Sequence, residues 1–288
     1  MKKYINKTTQ NLVKSVLDEF PELTYNALNK LLRKKDIKIN GKRTNSNIVV
    51  NNGDVVEVYF DFDKVEVDCD IIYQDDNIAV VNKPQGIEVQ SDGKDLTKLV
   101  SQKLDTKAYP CHRLDLNTQG LVVFAKTKHS EKLMLEVFKN HQLDKYYLAL
   151  LCGIFNKKES VENAFIFKDN KKAQSFVYDT HKPNTKSIQT KYRVLKELDD
   201  ASIVQIQIPT GRTHQIRAHM SYLGHAVVGD QKYGDVDFNK KYSTKKQMLC
   251  AYKLVFNLPQ DHEYSYLNQI KISIKPSFLQ KLNVDVKL

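Results

Sequence analysis

The densest run of chemically capable side chains is Cys111-His112-Arg113-Leu114-Asp115-Leu116-Asn117-Thr118-Gln119-Gly120, which leads directly into the apolar stretch Leu121 to Ala125. A stretch that apolar predicts a buried strand, so the loop before it is held rigidly and Asp115, flanked by Leu114 and Leu116, sits at the margin of the core. A carboxylate placed there is either paired or functional: it caps its own turn, pairs with Arg113, or does chemistry. A second constellation follows the alternating strand Ile203 to Ile208 and the turn Pro209-Thr210-Gly211. There the spacing predicts a short helix from near Thr213, with Ile216, Met220 and Leu223 as its core face. Arg217 projects from a different face, in company with the helix start. Together with Arg212 it offers cations and free backbone N–H groups to an anion, with a surface arginine as the plain alternative.

Other chemistries lose support. The chain has no Gly-x-x-x-x-Gly-Lys-Ser/Thr phosphate loop, no Gly-x-Gly-x-x-Gly, no His-Glu-x-x-His and no Gly-x-Ser-x-Gly. His112, His214, His219 and His225 have no carboxylate or cysteine at a familiar ligand spacing, so hydrogen-bonding or core histidines are expected and no metal. Cys69, Cys111, Cys152 and Cys250 form no Cys-x-x-Cys pair, which suggests neither a zinc ribbon nor a disulfide framework and fits a reducing cytoplasm.

These residues must be carried on a frame. A length of 288 residues predicts one large domain and one small one, and 41% apolar residues exclude global disorder. The longest mainly apolar stretch, Leu148 to Phe155, is far short of the roughly 20 residues that span a bilayer, and no apolar run follows the basic N-terminus, so neither membrane insertion nor secretion is expected. The 45 Lys and Arg against 34 Asp and Glu, a net charge of +11, are compatible with an anionic partner but name none. Leu12, Val16 and Phe20, then Leu28, Leu31 and Leu32, predict two short helices separated at Pro21. The second runs into Ile37 and Ile39 and the turn Asn40-Gly41, which read as a hairpin, with a further strand at Asp54 to Phe60. Between Ala27 and Arg43 lie seven Lys or Arg and one Asp. A solvated cationic face is the ordinary reading of such a cluster; the helix–helix–hairpin frame favours a nucleic-acid surface instead.

This N-terminal stretch resembles the alpha-L type of small RNA-binding module, first described in a small-subunit ribosomal protein. The resemblance covers about residues 8 to 61 and rests on residues 31 to 43 (Leu-Leu-Arg-Lys-Lys-Asp-Ile-Lys-Ile-Asn-Gly-Lys-Arg) with Gly53-Asp54. It implies RNA contacts from Arg33, Lys34, Lys35, Lys42 and Arg43. Domains are expected at 1–62 and 68–288, joined by the charged segment Asp61 to Asp70. In the second domain, strand signals at Ile71 to Tyr73, Ile78 to Val81, Leu121 to Ala125, Tyr146 to Leu151, Phe176 to Tyr178, Ile188 to Leu195 and Ile203 to Ile208 alternate irregularly with helical patterns near Leu96 to Leu104 and Ser130 to Phe138. That irregularity predicts an α+β fold rather than a doubly wound sheet. The Lys-rich stretch Asn239 to Lys246 reads as an exposed loop.

The large domain resembles the RluA-type pseudouridine synthases, which include ribosomal large-subunit enzymes. Four ordered blocks carry the resemblance across about residues 70 to 258. They are Tyr73 to Asn77 with Val81-Asn82-Lys83-Pro84-Gln85-Gly86; His112-Arg113-Leu114-Asp115 with Thr118 and Gly120-Leu121; Lys145-Tyr146-Tyr147 with Gly153; and Thr210 to His219 with Gly224-His225 and Gly229-Asp230. The resemblance implies a central mixed, mainly antiparallel sheet flanked by helices, an active-site cleft across it, and neither cofactor nor metal. It makes Asp115 the catalytic carboxylate, Tyr147 (or Tyr146) the tyrosine that stacks on the target base, and Arg217 (or Arg212) the partner of the Asp. Arg113 would take the space of the displaced base or stabilise the flipped nucleotide, with His112, Arg212 and His214 as further RNA contacts. Gln119, Ala226 and Cys250 stand where Ser, Pro and His are common in the family, which bears on the target site more than on the activity.

The implied reaction breaks the carbon–nitrogen glycosidic bond of a uridine, turns the uracil in place and rejoins it through carbon-5. The nucleotide must leave its stack, at a cost of a few kcal/mol, and the detached ring must be held between apolar and aromatic walls. Asp115 then acts on ribose carbon-1′ as a nucleophile or removes a ribose proton to open an elimination route. The expected substrate is large-subunit ribosomal RNA, with transfer RNA as the alternative, and the expected protein is a cytoplasmic monomer. A non-catalytic RNA-binding or ribosome-assembly factor would lack the Asp, Tyr or Arg, and a metal-dependent nuclease would need clustered carboxylates.

Overall fold

The computed structural model describes residues 1–20, 23, 25–60, 68–91 and 95–288. The chain divides into two compact units, Met1–Val67 and Asp68–Leu288. Pro21 and residues 61–67 of the expected linker lie outside the described residues.

In the first unit β1 (Lys2–Ile5) and β2 (Gln10–Asn11) precede α1 (Leu12–Glu19) and α2 (Tyr25–Lys34). The hairpin β3 (Ile37–Ile39) and β4 (Lys42–Thr44) follows, then β5 (Val49–Val50) and β6 (Val55–Val58). Leu12, Val16, Phe20, Leu28, Leu31 and Leu32 bury together against Ile37, Val56 and Val58, so the helical spacing faces the sheet. The sheet order is β1-β6-β3-β4, antiparallel throughout. Asn40 and Gly41 both take positive φ (49° and 79°), the backbone of a two-residue turn whose twist matches its strands. Arg33, Lys34, Lys35, Lys42 and Arg43 are all exposed.

The second unit opens with the pair β7 (Asp70–Gln74) and β8 (Ile78–Lys83), then α3 (Leu96–Lys103), β9 (Tyr109–Pro110), β10 (Gln119–Ala125) and α4 (Lys128–Lys139). The long strands β11 (Leu143–Cys152), β12 (Glu159–Asp169), β13 (Gln174–Tyr178), β14 (Lys186–Glu197) and β15 (Ala201–Gln207) lead to α5 (Gln215–Tyr222) and α6 (Val236–Lys241). The chain finishes with β16 (Leu249–Phe256), β17 (Lys271–Ser273) and α7 (Ser277–Lys281). Among the described residues eleven of these strands form one sheet, with the path β13-β12-β14-β15-β11-β16-β10-β8-β7, β17 on β16 and β9 on β10. Its neighbours run antiparallel except β10 and β16, which are parallel. The fold is therefore α+β with a mixed, mainly antiparallel sheet.

Gly120 to Ala125 are all buried, as a central strand with both faces covered requires. Leu121, Val123 and Ala125 pack beneath Met134 and Val137 of α4. The Thr127 hydroxyl accepts the Ser130 N–H and the Asp95 carboxylate accepts that of Lys98, capping α4 and α3. The stretch from Asn239 is only partly the exposed loop expected from its lysines: Lys240, Lys241, Lys245 and Lys246 are exposed and Tyr242 to Lys246 is irregular. It begins inside α6, and Asn239 is buried, donating from Nδ2 to the Asp230 carbonyl (3.0 Å) and accepting the Gly229 N–H. Lysine content reports the solvent side of this stretch and hides Asn239 and Thr244, the polar residues turned inward. Among the described residues, no helix is long and apolar enough to cross a membrane.

Candidate active site

Three segments separated in sequence converge on one face of the sheet: the loop leading into β10, the middle of β11, and the turn from β15 into α5. They line a cleft of about 120 Å³ that includes Arg113, Asp115, Tyr147, Arg212, His214 and Arg217. The loop before β10 is tied from beneath. Lys83, fully buried at the end of β8, donates its ammonium protons to the carbonyls of Pro84 (3.0 Å), Ile87 (2.8 Å) and Leu116 (3.0 Å), and Gly86 N–H also reaches the Leu116 carbonyl (2.9 Å). Burial pulls the Lys83 ammonium down to about 7, while three carbonyl acceptors favour its charged form. The residue after Asp115 is thus fixed by a buried cation.

Asp115 Oδ2 accepts from Arg217 Nη1 at 2.9 Å. Among the described residues Asp115 Oδ1 receives no hydrogen bond, so one oxygen stays open to the cleft. Arg217 is itself 7% exposed. Its Nε and Nη2 donate to Asp230 Oδ2 (2.6 Å) and Oδ1 (3.1 Å), a planar two-point pair in the interior. Asp230 Oδ1 further accepts the N–H groups of Lys232 (2.8 Å) and Tyr233 (3.1 Å). Burial works against the Asp230 carboxylate, but the hydrogen bonds and charge of Arg217 hold it below the usual carboxylate range. Burial likewise works against the Arg217 cation, and its two carboxylate partners raise it above its ordinary value. The Tyr233 ring lies 5.1 Å from the guanidinium carbon. With its amide oxygen assigned toward the guanidinium, Gln247 accepts from Nε and Nη2 (both 3.1 Å) and donates to Thr118 Oγ1 (3.3 Å). Gly229, at φ 83°, precedes Asp230 where any Cβ would collide with the Lys246 carbonyl, so this corner admits only glycine.

The expected helix start near Thr213 moves to Gln215, and Arg217 is buried rather than surface-borne. The anion it meets is the protein's own. His214 caps the helix in the left-handed region (φ 56°, ψ 20°), a strained backbone for a non-glycine residue. Its Nδ1 lies 2.9 Å from the Tyr233 hydroxyl and its Nε2 3.9 Å from Asp115 Oδ2. Burial lowers His214 most, with Asp115 opposing, so the ring is biased to its neutral form. Tyr147 is 7% exposed and lines the cleft. Burial first and then the nearby Asp115 charge push its phenol well above the ordinary range, so it stays protonated. Tyr146 points to the opposite face, where Lys253 stands 4.7 Å from its ring centroid.

Arg113 and Arg212 are exposed at the cleft margin. His112 corrects the sequence reading: it faces inward and is not a cleft residue. Its Nε2 accepts the Val123 N–H (3.0 Å) and its ring lies 4.7 Å from that of Phe138. His112 is half-buried, and burial pulls its imidazole down to about 3, consistent with a neutral acceptor at the core margin. The plain alternative of an Asp115–Arg113 pair is replaced by the pair with Arg217. Sequence reasoning named Lys83 and Asp230 only as parts of motifs and missed Gln247 and Tyr233; a buried Lys or Asp leaves no local pattern. Gln119 accepts from the Ser277 hydroxyl (2.7 Å), Ala226 packs in the core and Cys250 is fully buried; none of the three lines the cleft. Among the described residues no three His, Cys, Asp or Glu side chains are grouped as metal ligands.

A basic chain whose mixed sheet carries a cleft with a carboxylate–guanidinium pair and a phenol wall has the parts of an enzyme acting on a planar base. Residues 77–222 match the profile of the RNA pseudouridylate synthase family. An RNA pseudouridine synthase of Mycoplasma genitalium, described as uncharacterized, is 35% identical over 242 residues, 76% of this chain and 75% of the relative. Ribosomal large subunit pseudouridine synthase C of Vibrio cholerae is 30% identical over 252 residues, 80% of this chain and 77% of the relative. The solved structure of human RNA pseudouridylate synthase domain containing 1 matches with a TM-score of 0.63 and 28% identity, covering 75% of this chain and 86% of that one. This chain belongs to the RNA pseudouridylate synthase family, and is an enzyme that isomerises uridine in RNA to pseudouridine.

Proposed function

We propose that the chain modifies one or more uridines of large-subunit ribosomal RNA, with Asp115 as the reacting carboxylate. The observation that carries this reading is the 2.9 Å bond between Asp115 and Arg217 inside a cleft walled by Tyr147. Arg217, braced by Asp230, holds one oxygen of Asp115 and leaves the other to meet ribose carbon-1′ or a ribose proton. Tyr147 supplies a flat wall against which the detached uracil turns, and its protonated hydroxyl suits a donor more than a base. Arg113 and Arg212 contact the strand at the cleft mouth, and His214 lies within reach of both Asp115 and the substrate. The unit Met1–Val67 acts as an RNA-binding module of the alpha-L type, using Arg33, Lys34, Lys35, Lys42 and Arg43 on phosphates. The protein works as a cytoplasmic monomer without cofactor or metal.

The test is release of tritium from RNA labelled at uracil carbon-5. Asp115→Ala is expected to abolish release while RNA binding survives; full release by this variant overturns the assignment. Site-by-site mapping of pseudouridine in cells lacking the protein identifies the target. Loss confined to transfer RNA would overturn the ribosomal assignment and leave the activity standing.

A further inference from the structure

Lys145 lies on β11 two residues before Tyr147, so strand alternation puts both side chains on the cleft face, roughly 7 Å apart along the strand. Its neighbour Asp144 is committed elsewhere, with Oδ1 accepting from Gln207 Nε2 and Oδ2 from Asn257 Nδ2, both at 2.9 Å. The Lys145 stem is half-buried, and the ammonium stands 5.9 Å from the Phe138 ring centroid. Among the described residues it meets no carboxylate within ion-pair distance and no hydrogen-bond acceptor. It ends 4.0 Å from the point where a Cβ on Gly211 would sit, and Gly211 is exposed and lines the cleft. Lys145 itself is not among the cleft-lining residues; its ammonium adjoins Gly211, whose lack of a side chain leaves room at the cleft margin.

A half-desolvated cation with no ion-pair partner is unfavourable in the free protein: burial draws the ammonium down from its ordinary value, and the charge of the neighbouring Asp144 opposes this only in part. Such a cost is offset when a ligand brings the missing negative charge. The aromatic wall is already supplied by Tyr147, and a lysine has no planar fork with which to read a base edge. A compact ammonium on a flexible stem suits the oxygens of a single phosphate group. We infer that Lys145 is a substrate-binding residue whose ammonium takes a phosphodiester of the RNA strand beside the target uridine. The contact sets the register of the strand, so that the nucleotide entering between Asp115 and Tyr147 is the one a fixed step from that phosphate. The inference rests on reading this cleft as the place where the uridine is turned.

Lys145→Met removes the charge and keeps the buried stem, while Lys145→Arg keeps the charge. Tritium release is measured over a range of RNA and salt concentrations, beside thermal melting of each protein. Lys145→Met is expected to raise KM about tenfold or more, with a smaller effect on kcat, as loss of a charge-assisted contact does. It should also reduce the slope of log KM against log salt by about 0.7 to 0.9, the value for one phosphate contact. Lys145→Arg should retain the slope. Because the variant deletes a half-buried charge that makes no ion pair or hydrogen bond, Lys145→Met should melt no lower than the parent. An unchanged KM and salt slope in Lys145→Met overturns the phosphate contact, as does a rise in KM that merely follows a lowered melting temperature. Asp115→Ala separates the two readings. If it releases tritium normally, the cleft assignment falls; if it is inactive while Lys145→Met behaves as the parent, only the phosphate contact falls.

Discussion

At the scale of single residues the site is organised by one guanidinium shared between two carboxylates that differ in exposure: the Asp230 side chain is fully buried and that of Asp115 is 22% exposed. The buried partner takes two of the three nitrogens and fixes the plane of the fork, leaving Nη1 for the carboxylate at the cleft. Asp230 therefore positions Arg217 and, through it, Asp115. Asp230→Asn keeps the shape and removes the charge that holds the fork. Its kcat should fall by about 100-fold with KM little changed, the scale of loss expected from misplacing a reacting group by about 1 Å. Breaking the buried pair should also cost about 3 to 5 kcal/mol of stability, read from urea denaturation. A normal kcat in a folded Asp230→Asn protein would show that Arg217 needs no anchor.

Among the elements, the decisive arrangement is the pairing of β8 with β10, because it brings the end of one strand beneath the loop that starts the other. Lys83 closes that arrangement by binding three carbonyls at once. Lys83→Met should lower stability by about 3 kcal/mol or more, since leaving a buried acceptor unsatisfied costs about 1 to 3 kcal/mol each. It should also slow tritium release by loosening the Asp115 loop; unchanged denaturation midpoints would mean that water replaces the ammonium. In the N-terminal unit the exposed cations stand on the end of α2 and the β3–β4 hairpin, away from any deep core position. Lys34→Glu with Lys42→Glu should weaken RNA binding and flatten its salt dependence without unfolding the protein. A filter-binding series from low to high salt checks this, and an unaltered slope would remove the hairpin from the RNA interface.

For the whole molecule, burial of histidines links stability to pH. His112 is pulled down to about 3 by burial, with the Lys145 charge second, and burial also lowers His214 and His219. Each folded-state value lies below that of the unfolded chain, so the unfolded state binds protons first as acid is added. The stability these rings confer is complete above about pH 6.5 and is lost as pH falls below it, at up to about 1.4 kcal/mol per pH unit for each histidine. Urea midpoints at pH 7.5, 6 and 4.5 should decline in that order, and the decline should be shallower in a His112→Gln variant. A flat series would mean that the folded protein admits the protonated rings. The window ends near the ordinary carboxylate range, below which protonation of Asp230 adds its own loss.

The β10 strand, the Asn40-Gly41 turn and α4 were legible from the sequence because each is written in local periodicity, and local sterics and solvation respond to local periodicity. The ordered motif blocks likewise picked out the segments from which Asp115, Tyr147 and Arg217 come. The family resemblance also offered Arg217, with Arg212 as the alternative, as the partner of Asp115; tertiary structure decided between them and made the contact. Asp115 and Arg217 are 102 positions apart, and their 2.9 Å contact exists only because β10, β11 and α5 are brought to one face of the sheet. The strand β1, the parallel pairing of β10 with β16, the inward turn of His112 and Asn239, and the buried roles of Lys83 and Asp230 share the same cause. A polar side chain acquires its role from groups that reach it once the chain has closed, and those groups leave no mark on its neighbours in sequence.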